Sequence, residues 1–200
     1  MGPYYWQDHL VRLRAAEPDD WELLWRWNQD SDLLRHLEHV HPPQSQAAVR
    51  RWLEETATRQ PKDDEFGATI ENLAGEPVGG LGTHHCDPGN GTFSYGLSIA
   101  REHRRRGYAR AALGLVLRYF FEERRYRKAW VHVYSFNEAS LHLHEHLGFQ
   151  REGRLRQMLF TQGRYHDIIV LGLLADEYAA RNRQSGEENG GGAEAPNALE

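Results

Sequence analysis

A short segment rich in arginine near the middle of the chain constrains the fold more than any other feature. It reads Arg-Arg-Arg-Gly-Tyr-Ala over residues 104–109. It follows an apolar stretch at residues 95–100 that predicts a β-strand, and it precedes a run of apolar residues at helical spacing. The first N–H groups of a helix have no partner within the helix, so a strand, a glycine loop and a helix start together predict a cradle for an anion.

The charge around this loop indicates which anion it would hold. Gly107 lets the main chain approach a phosphate without a Cβ in the way, and Ala109 keeps the helix start slim against the strand. Glu102 is the one acidic residue among five arginines: Arg101, Arg104, Arg105, Arg106 and Arg110. Such a field matches several phosphates, as in a pyrophosphate. A solvated arginine turn is the alternative, because short glycine patterns also occur by chance.

A second motif follows the next predicted strand, at residues 129–134. It begins Asn-Glu-Ala-Ser at Asn137 and ends Leu-Gly-Phe at residues 147–149. Together with the arginine loop it resembles the GNAT superfamily of acyl-CoA-dependent N-acetyltransferases, whose pattern is an Asn-x-x-Ser helix ending in Leu-Gly-Phe. The resemblance spans residues 11–178, and the segment at 152–167 resembles the tail of bacterial spermidine and ribosomal-protein acetyltransferases.

The resemblance implies an α/β (α+β) fold, in which a single GNAT-type domain has a central mixed, mostly antiparallel sheet of about seven strands flanked by helices. The domain is predicted to cover residues 1–180. Beyond it the composition changes to Gly, Glu, Asn, Ala and Pro with few apolar side chains. Residues 181–200 are therefore predicted to be a disordered C-terminal tail.

The formal net charge of −5 hides a polarised distribution. Residues 1–80 hold fifteen acidic and eight basic side chains, whereas residues 101–130 hold ten basic and three acidic ones. An enzyme that brings coenzyme A to a protonated amine needs one region for a polyanion and another for a cation. Nucleic acid is not a predicted partner, because no aromatic stacking pattern accompanies the arginines and the net charge is negative.

Composition also bears on location. No apolar run approaches the length that crosses a bilayer, and the N-terminal residues show no secretory signal. Cys86 is the single cysteine, so the chain forms no internal disulfide and suits a reducing compartment. These observations predict a soluble cytoplasmic protein with no membrane partner.

The resemblance implies transfer of an acetyl group from acetyl-CoA to a primary amine of a small molecule, by direct attack in a ternary complex. In such a family a splayed β-bulge, the phosphate loop and the Asn-x-x-Ser helix hold the co-substrate. The corresponding positions here are Leu97, Ser98, Ile99, Arg104, Arg105, Arg106, Gly107, Tyr108, Ala109, Arg110, Asn137 and Ser140. No metal is expected, because His142 and His146 at i, i+4 have no third ligand at suitable spacing.

His144 occupies the position at which relatives carry a tyrosine that protonates the leaving thiolate. A histidine has a reference pKa of about 6.5, so His144 is predicted either to donate a proton or to hydrogen-bond the sulfur as a neutral imidazole. A half-buried histidine with no catalytic part is the alternative.

The general base is less defined. Many relatives carry a glutamate on the fourth strand, near Ser94 here, and a serine cannot serve as that base. Glu38 in the loop before the second helix is the predicted base, acting directly or through a water. The alternatives are histidines of the same loop or the third strand, namely His39, His41, His84 and His85. Loss of the glutamate also weakens the case for a polyamine.

Two other functions and one assembly stay open. N-terminal acetylation of a ribosomal or other protein would need an open, acidic acceptor groove. A sensor that binds acetyl-CoA without turnover would need neither the tyrosine nor the glutamate that this sequence lacks. Many relatives are dimers, and the apolar final strand at residues 168–174 is a candidate for pairing at a sheet edge, which makes a homodimer possible.

Overall fold

One seven-stranded sheet organises the part of the chain that the structure describes. The structure is a computed structural model that describes residues 4–37, 39–58 and 64–190, with side chains as far as residue 184. The strands follow the order β1-β2-β3-β4-β5-β7-β6. They are β1 Val11–Arg14, β2 Gly67–Asn72, β3 Pro77–Asp87, β4 Thr92–Ile99, β5 Lys128–Tyr134, β6 Gln150–Thr161 and β7 Arg164–Leu174.

Neighbouring strands are antiparallel except at one place, where β4 and β5 are parallel. The chain from β4 to β5 crosses over through a helix, as a parallel connection requires. The predicted mixed, mostly antiparallel sheet in a single domain of this class is confirmed.

Six α-helices lie along the described chain. They are α1 Trp21–Trp27, α2 Ser31–Leu37, α3 Gln46–Ala57, α4 Tyr108–Arg118, α5 Glu138–His146 and α6 Ala175–Gly190. Ser45 caps α3, because its side chain accepts a hydrogen bond from the N–H of Ala48. The sequence did not predict α2, which has only seven residues and whose first N–H groups are capped by Asp30.

Helix α4 connects the core to the loop that precedes it. Its apolar stripe is fully buried against the sheet, with Ala112, Leu113 and Val116 between 0% and 1% exposed. Just beyond the helix, the ring of Phe120 stacks on Phe93 of β4 with centroids 3.9 Å apart. Burying each such large apolar side chain contributes about 1.5–3 kcal/mol, so the start of α4 is fixed relative to β4.

The C-terminal part of the chain differs from expectation in two respects. Helix α6 continues to Gly190, so helix covers the first ten residues of the segment predicted as a disordered tail, while residues 191–200 lie outside the described residues. Strand β7, which contains the apolar stretch 168–174, lies between β5 and β6. The prediction that it forms an edge is wrong, because the β6–β7 hairpin places β6 outside it.

None of the helices in the described ranges combines the length and the apolar composition that crossing a bilayer requires.

Candidate active site

The candidate site lies where the sheet divides between β4 and β5. These strands pair only at Thr92 with Lys128 and at Phe93 with Ala129. Beyond that point β4 stays paired with β3, and β5 stays paired with β7 as far as Tyr134. The two halves of the sheet therefore separate and leave a cavity of about 1070 Å³.

The separation has a simpler origin than the bulge expected around residues 97–99. Strands β3 and β4 pair in continuous register from Gly79 with Ile99 to His84 with Ser94. The register shift in this pair lies farther along, between His84 and Asp87. The splay is thus the departure of β5, and it leaves one side of β4 beyond Phe93 without a strand neighbour.

The arginine loop forms one end of the cavity. Gly107 precedes the first residue of α4 and has φ +82°, a left-handed conformation that glycine adopts without strain. A Cβ at this position would also lie 3.3 Å from Leu10 Cδ1. The loop therefore needs glycine both for its conformation and for the approach of the N-terminal segment, and it points the free N–H groups of α4 at the cavity.

Every predicted coenzyme position lines this one cavity. These positions are Leu97, Ser98, Ile99, Arg104, Arg105, Arg106, Gly107, Tyr108, Ala109, Arg110, Asn137 and Ser140, and His144 joins them. Arg104 also donates to the carbonyl of Ile99 at 3.1 Å, which ties the loop to the end of β4. Arg101 lies outside the lining, where it pairs with Asp30 and Asp32. The individual roles of the lining residues stay predictions.

Two of these residues build the start of α5. The side chain of Asn137 accepts a hydrogen bond from the N–H of Ser140 at 3.1 Å, which makes Asn137 the N-cap. Such a cap contributes about 1 kcal/mol to helix stability. The Asn-x-x-Ser motif thus fixes the helix that carries His144, whatever contact it makes with a ligand.

His144 is held as a neutral imidazole with one free nitrogen. Its side chain is buried, and Nδ1 lies 2.7 Å from the carbonyl oxygen of Ser140. A carbonyl only accepts, so Nδ1 carries the proton and Nε2 of the neutral ring is an acceptor. Burial lowers the pKa of His144, and the hydrogen bond to Ser140 opposes that shift. Both facts count against the predicted role of proton donor at neutral pH.

Tyr95 is a cavity residue that the sequence analysis did not single out. Its ring is nearly parallel to that of His144, with centroids 5.8 Å apart and an interplanar angle of 18°. Burial raises the pKa of Tyr95 well above its usual value of about 10. The sequence signal that could have identified Tyr95 is its hydroxyl, because the other side chains on that face of β4 are apolar.

The opposite face of the sheet presents a different set of side chains. His84 lies directly opposite Ser94, so both project from the same face as Gly96. Trp130 and His132 of β5 line the same part of the cavity, and the ring of His85 stacks on Trp130 with centroids 5.5 Å apart. We refer to His36, His84, His85, Trp130 and His132 as the histidine wall.

Two imidazoles of the histidine wall, those of His84 and His132, are partly desolvated. Burial, followed by the neighbouring His85, lowers the pKa of His84 and of His132. Ser94 is 2% exposed, and the described residues that line the cavity include no aspartate or glutamate. Glu38, the predicted base, lies outside the described residues, and His39 and His41 lie beyond the lining.

Comparison with known proteins gives the family. A family model described as an acetyltransferase (GNAT) domain matches residues 11–150. The chain belongs to the GNAT acetyltransferase family. The predicted family is therefore confirmed, and the protein is an acetyl-CoA-dependent N-acetyltransferase.

Individual relatives agree with this assignment to the GNAT family. The chain is 38% identical over 178 residues to an uncharacterized N-acetyltransferase of Bacillus subtilis, YokL, covering 89% of this chain and 97% of the relative. It is 35% identical over 86 residues to the spermidine N(1)-acetyltransferase of Vibrio cholerae, covering 43% of this chain and 50% of that one.

The fold is also that of a solved GNAT enzyme. A crystal structure of spermidine N-acetyltransferase from Vibrio cholerae in complex with CoA and spermine superposes with a TM-score of 0.75 at 24% identity, covering 86% of this chain and 99% of that one.

The lining fits the co-substrate of this GNAT enzyme. The arginine loop and the free N–H groups of α4 suit the phosphates of coenzyme A. The cavity volume of about 1070 Å³ suits a ligand as large as this coenzyme. Within the described ranges, no three His, Cys, Asp or Glu side chains converge as metal ligands would.

Proposed function

We propose that this enzyme moves an acetyl group from acetyl-CoA to the primary amine of a small molecule, by direct attack in a ternary complex. One observation carries the proposal. A single cavity is lined from both faces of the divided sheet, by the arginine loop at one end and the histidine wall at the other. Two substrates that enter from opposite faces meet beside β4, so no covalent enzyme intermediate is needed.

His84 is the proposed general base. Its Cε1 lies 3.9 Å from the position that a Cβ on Gly96 would take, so the ring lies over β4 beside the division. The lowered pKa keeps the imidazole neutral at pH 7, which is the form that accepts a proton from an ammonium, directly or through a water. The role predicted for Glu38 stays a prediction.

The histidine wall also bears on the class of amine. A polyamine carries several positive charges, and a desolvated ammonium needs a carboxylate or comparable acceptors. The described lining offers imidazoles and an indole in place of carboxylates. We therefore propose an acceptor with one ammonium group and an apolar or planar body, although the Vibrio cholerae relative was crystallised with spermine.

A thiol-release assay with purified enzyme tests this proposal. The panel contains spermidine, single-charge aryl- and alkylamines, amino acids, aminoglycosides and peptides with free N-termini. We expect kcat/KM for the best single-charge amine to exceed that for spermidine by at least about tenfold. A preference for spermidine would refute the proposed acceptor class, and turnover of peptides alone would assign the enzyme to protein N-termini.

We also propose that the enzyme is a cytoplasmic homodimer that pairs through the β6–β7 hairpin. Strand β6 is an edge, and exposed apolar side chains cluster near the hairpin end, namely Met158, Phe160 and Tyr165. The rings of Phe160 and Tyr165 contact each other with centroids 5.0 Å apart. An uncovered apolar edge of this kind favours pairing.

Sedimentation should give a dimer for the native enzyme and a monomer for Phe160→Glu, and a native monomer at micromolar concentration would contradict the proposal.

A further inference from the structure

A second pocket adjoins the acceptor end of the cavity. It has a volume of about 300 Å³ and lies between helices α1 and α3 and strands β2, β3 and β4. It shares four lining residues with the main cavity, namely Leu37, Gly96, Leu97 and Ser98. An apolar cavity of about 150 Å³ is large enough to bind benzene, so the second pocket has room for a group of one or two rings.

The floor of the second pocket contains a row of positions without side chains. Gly82 of β3 lies directly opposite Gly67 of β2 on one side and Gly96 of β4 on the other. Paired residues project from the same face, and His84 lies two residues along β3, so this glycine row shares its face with His84. A Cβ on any of the three glycines would be at least 3.9 Å from every atom beyond its chain neighbours. The space over the glycine row is therefore open, although β3 is an inner strand.

The wall opposite the glycine row is apolar and incompletely covered. Helix α1 contributes Leu23, Leu24 and Trp27, and helix α3 contributes Trp52 and Leu53. No residue of α1 is buried, and Trp52 is 53% exposed. The apolar side of a helix that faces a sheet is ordinarily buried against that sheet. The gap between α1 and the glycine row thus leaves apolar surface that a ligand would remove from water.

The described lining of the second pocket offers no free carboxylate to a ligand. Asp20 is its charged residue, and the carboxylate accepts from two nitrogens of the Arg14 guanidinium at 2.7 and 2.8 Å. It also accepts from the N–H of Glu17 at 2.9 Å and from the hydroxyl of Thr69 at 3.4 Å. Four donors fill the lone-pair sites of a carboxylate. A second ammonium group of a ligand would lose its water here without gaining an acceptor.

Given the proposed acetyl transfer to a small-molecule amine, on which this inference rests, we propose that the second pocket binds an aromatic group of the acceptor. The enzyme then acetylates arylalkylamines. The amine nitrogen lies beside His84, whose Cε1 is 3.9 Å from the Cβ position of Gly96, and the ring lies over the glycine row. A floor without side chains suits a flat group, and Trp27 and Trp52 supply aromatic surface on the opposite side.

A pair of amines that differ by one phenyl ring tests the proposal on the native enzyme. We expect kcat/KM for 2-phenylethylamine to exceed that for ethylamine by at least about tenfold, because burying a group of this size favours binding by such a factor. The thiol-release assay measures both values. Equal kcat/KM for the two amines would overturn the proposal.

The substitution Gly82→Val fills the middle of the glycine row. Gly82 lines the second pocket and not the main cavity, and a Cβ there fits at 3.9 Å from the carbonyl oxygen of Phe66. We expect the ratio of kcat/KM for 2-phenylethylamine to that for ethylamine to fall at least about tenfold. Gly153→Val is the matched control, because it adds the same side chain to strand β6, outside both linings and 3.8 Å from Val170. The control should keep the native ratio, and an unchanged ratio in Gly82→Val would overturn the proposal.

Binding measured without turnover separates the second pocket from the proposed reaction. Trp27 and Trp52 line the pocket, so tryptophan fluorescence can follow a titration of the enzyme–CoA complex with 2-phenylethylamine. The Kd should rise at least about tenfold in Gly82→Val. Such a rise without thiol release from any amine would support the aromatic pocket and refute the acetyl transfer. Turnover of ethylamine together with equal Kd values in the native enzyme and Gly82→Val would keep the acetyl transfer and overturn the aromatic pocket.

Discussion

The two ends of the cavity recognise their substrates by different physical means. At the coenzyme end, a left-handed glycine turn, a helix start and four arginines from residues 104–110 present fixed dipoles and positive charge. At the acceptor end, the histidine wall presents aromatic rings from α2, β3 and β5. The first end suits a polyanion, and the second suits a group that must lose its proton before it reacts.

The difference has a chemical reason. A phosphate stays charged throughout the reaction, so permanent charge and backbone N–H groups hold it at no cost to the chemistry. An ammonium has to become an amine, and carboxylates around it would stabilise the unreactive form. Neutral imidazoles of low pKa, such as His84, accept the proton and do not hold the charge.

The largest expected effect comes from the acceptor end. His84→Gln should lower kcat about 100-fold or more, because general-base catalysis contributes on the order of 10² to 10⁴. The native kcat/KM should rise with pH and level off above the lowered pKa of His84, since the neutral ring is the active form. Steady-state kinetics with the best amine of the panel measure both. His142→Gln is the control, because His142 is 72% exposed on α5 outside the cavity lining, and an equal loss there would contradict a specific role for His84.

A smaller effect is expected at the coenzyme end, in KM and not in kcat. Arg105→Gln should raise the KM for acetyl-CoA about tenfold, because one charge-assisted contact to a phosphate is lost. Arg101→Gln is the matched control, since Arg101 pairs with Asp30 and Asp32 outside the cavity. Equal changes in KM for the two variants would show that only net charge matters, and a change in kcat alone would contradict the phosphate cradle.

The same contrast explains what the sequence predicted. The coenzyme end is built from neighbouring residues, so one run of sequence carries the loop, its glycine and its arginines. Asn137 and Ser140 likewise act over three residues, as an N-cap. Local motifs of this kind can be recognised in the sequence, because hydrogen-bond geometry at a helix start requires particular residue types.

The acceptor end depends on contacts between distant parts of the chain. His84 and Trp130 come together only because β3, β4 and β5 are neighbours in the sheet, and no spacing along the sequence shows this. The state of His144 depends on which nitrogen meets the Ser140 carbonyl. The splay was expected as a bulge on the fourth strand, whereas the structure shows a departure of β5, which follows from its pairing with β7.

The buried His144 should make folding stability depend on pH. Its pKa is lowered in the folded state, so the unfolded chain binds the proton more tightly, and stability falls as pH drops through about 6.5 towards the folded value. Denaturant unfolding measures how much the free energy of unfolding falls between pH 7.5 and pH 5.5. This fall should be about 1 kcal/mol smaller in His144→Phe than in the native enzyme. His142→Gln, at a site 72% exposed, should keep the native dependence of the unfolding free energy on pH. An unchanged pH dependence in His144→Phe would contradict burial of a neutral imidazole.

The smallest expected effect separates the two ends by ionic strength alone. Salt weakens attraction between partly exposed charges, so the KM for acetyl-CoA should rise about threefold between 50 and 200 mM salt. The KM for the amine should change much less, because the described acceptor end offers rings and not fixed charges to the ligand. Parallel titrations of both KM values with a chloride salt measure the ratio. An amine KM that rises as steeply as the coenzyme KM would mean that charge also holds the acceptor, and would redirect attention to acidic groups such as Glu38.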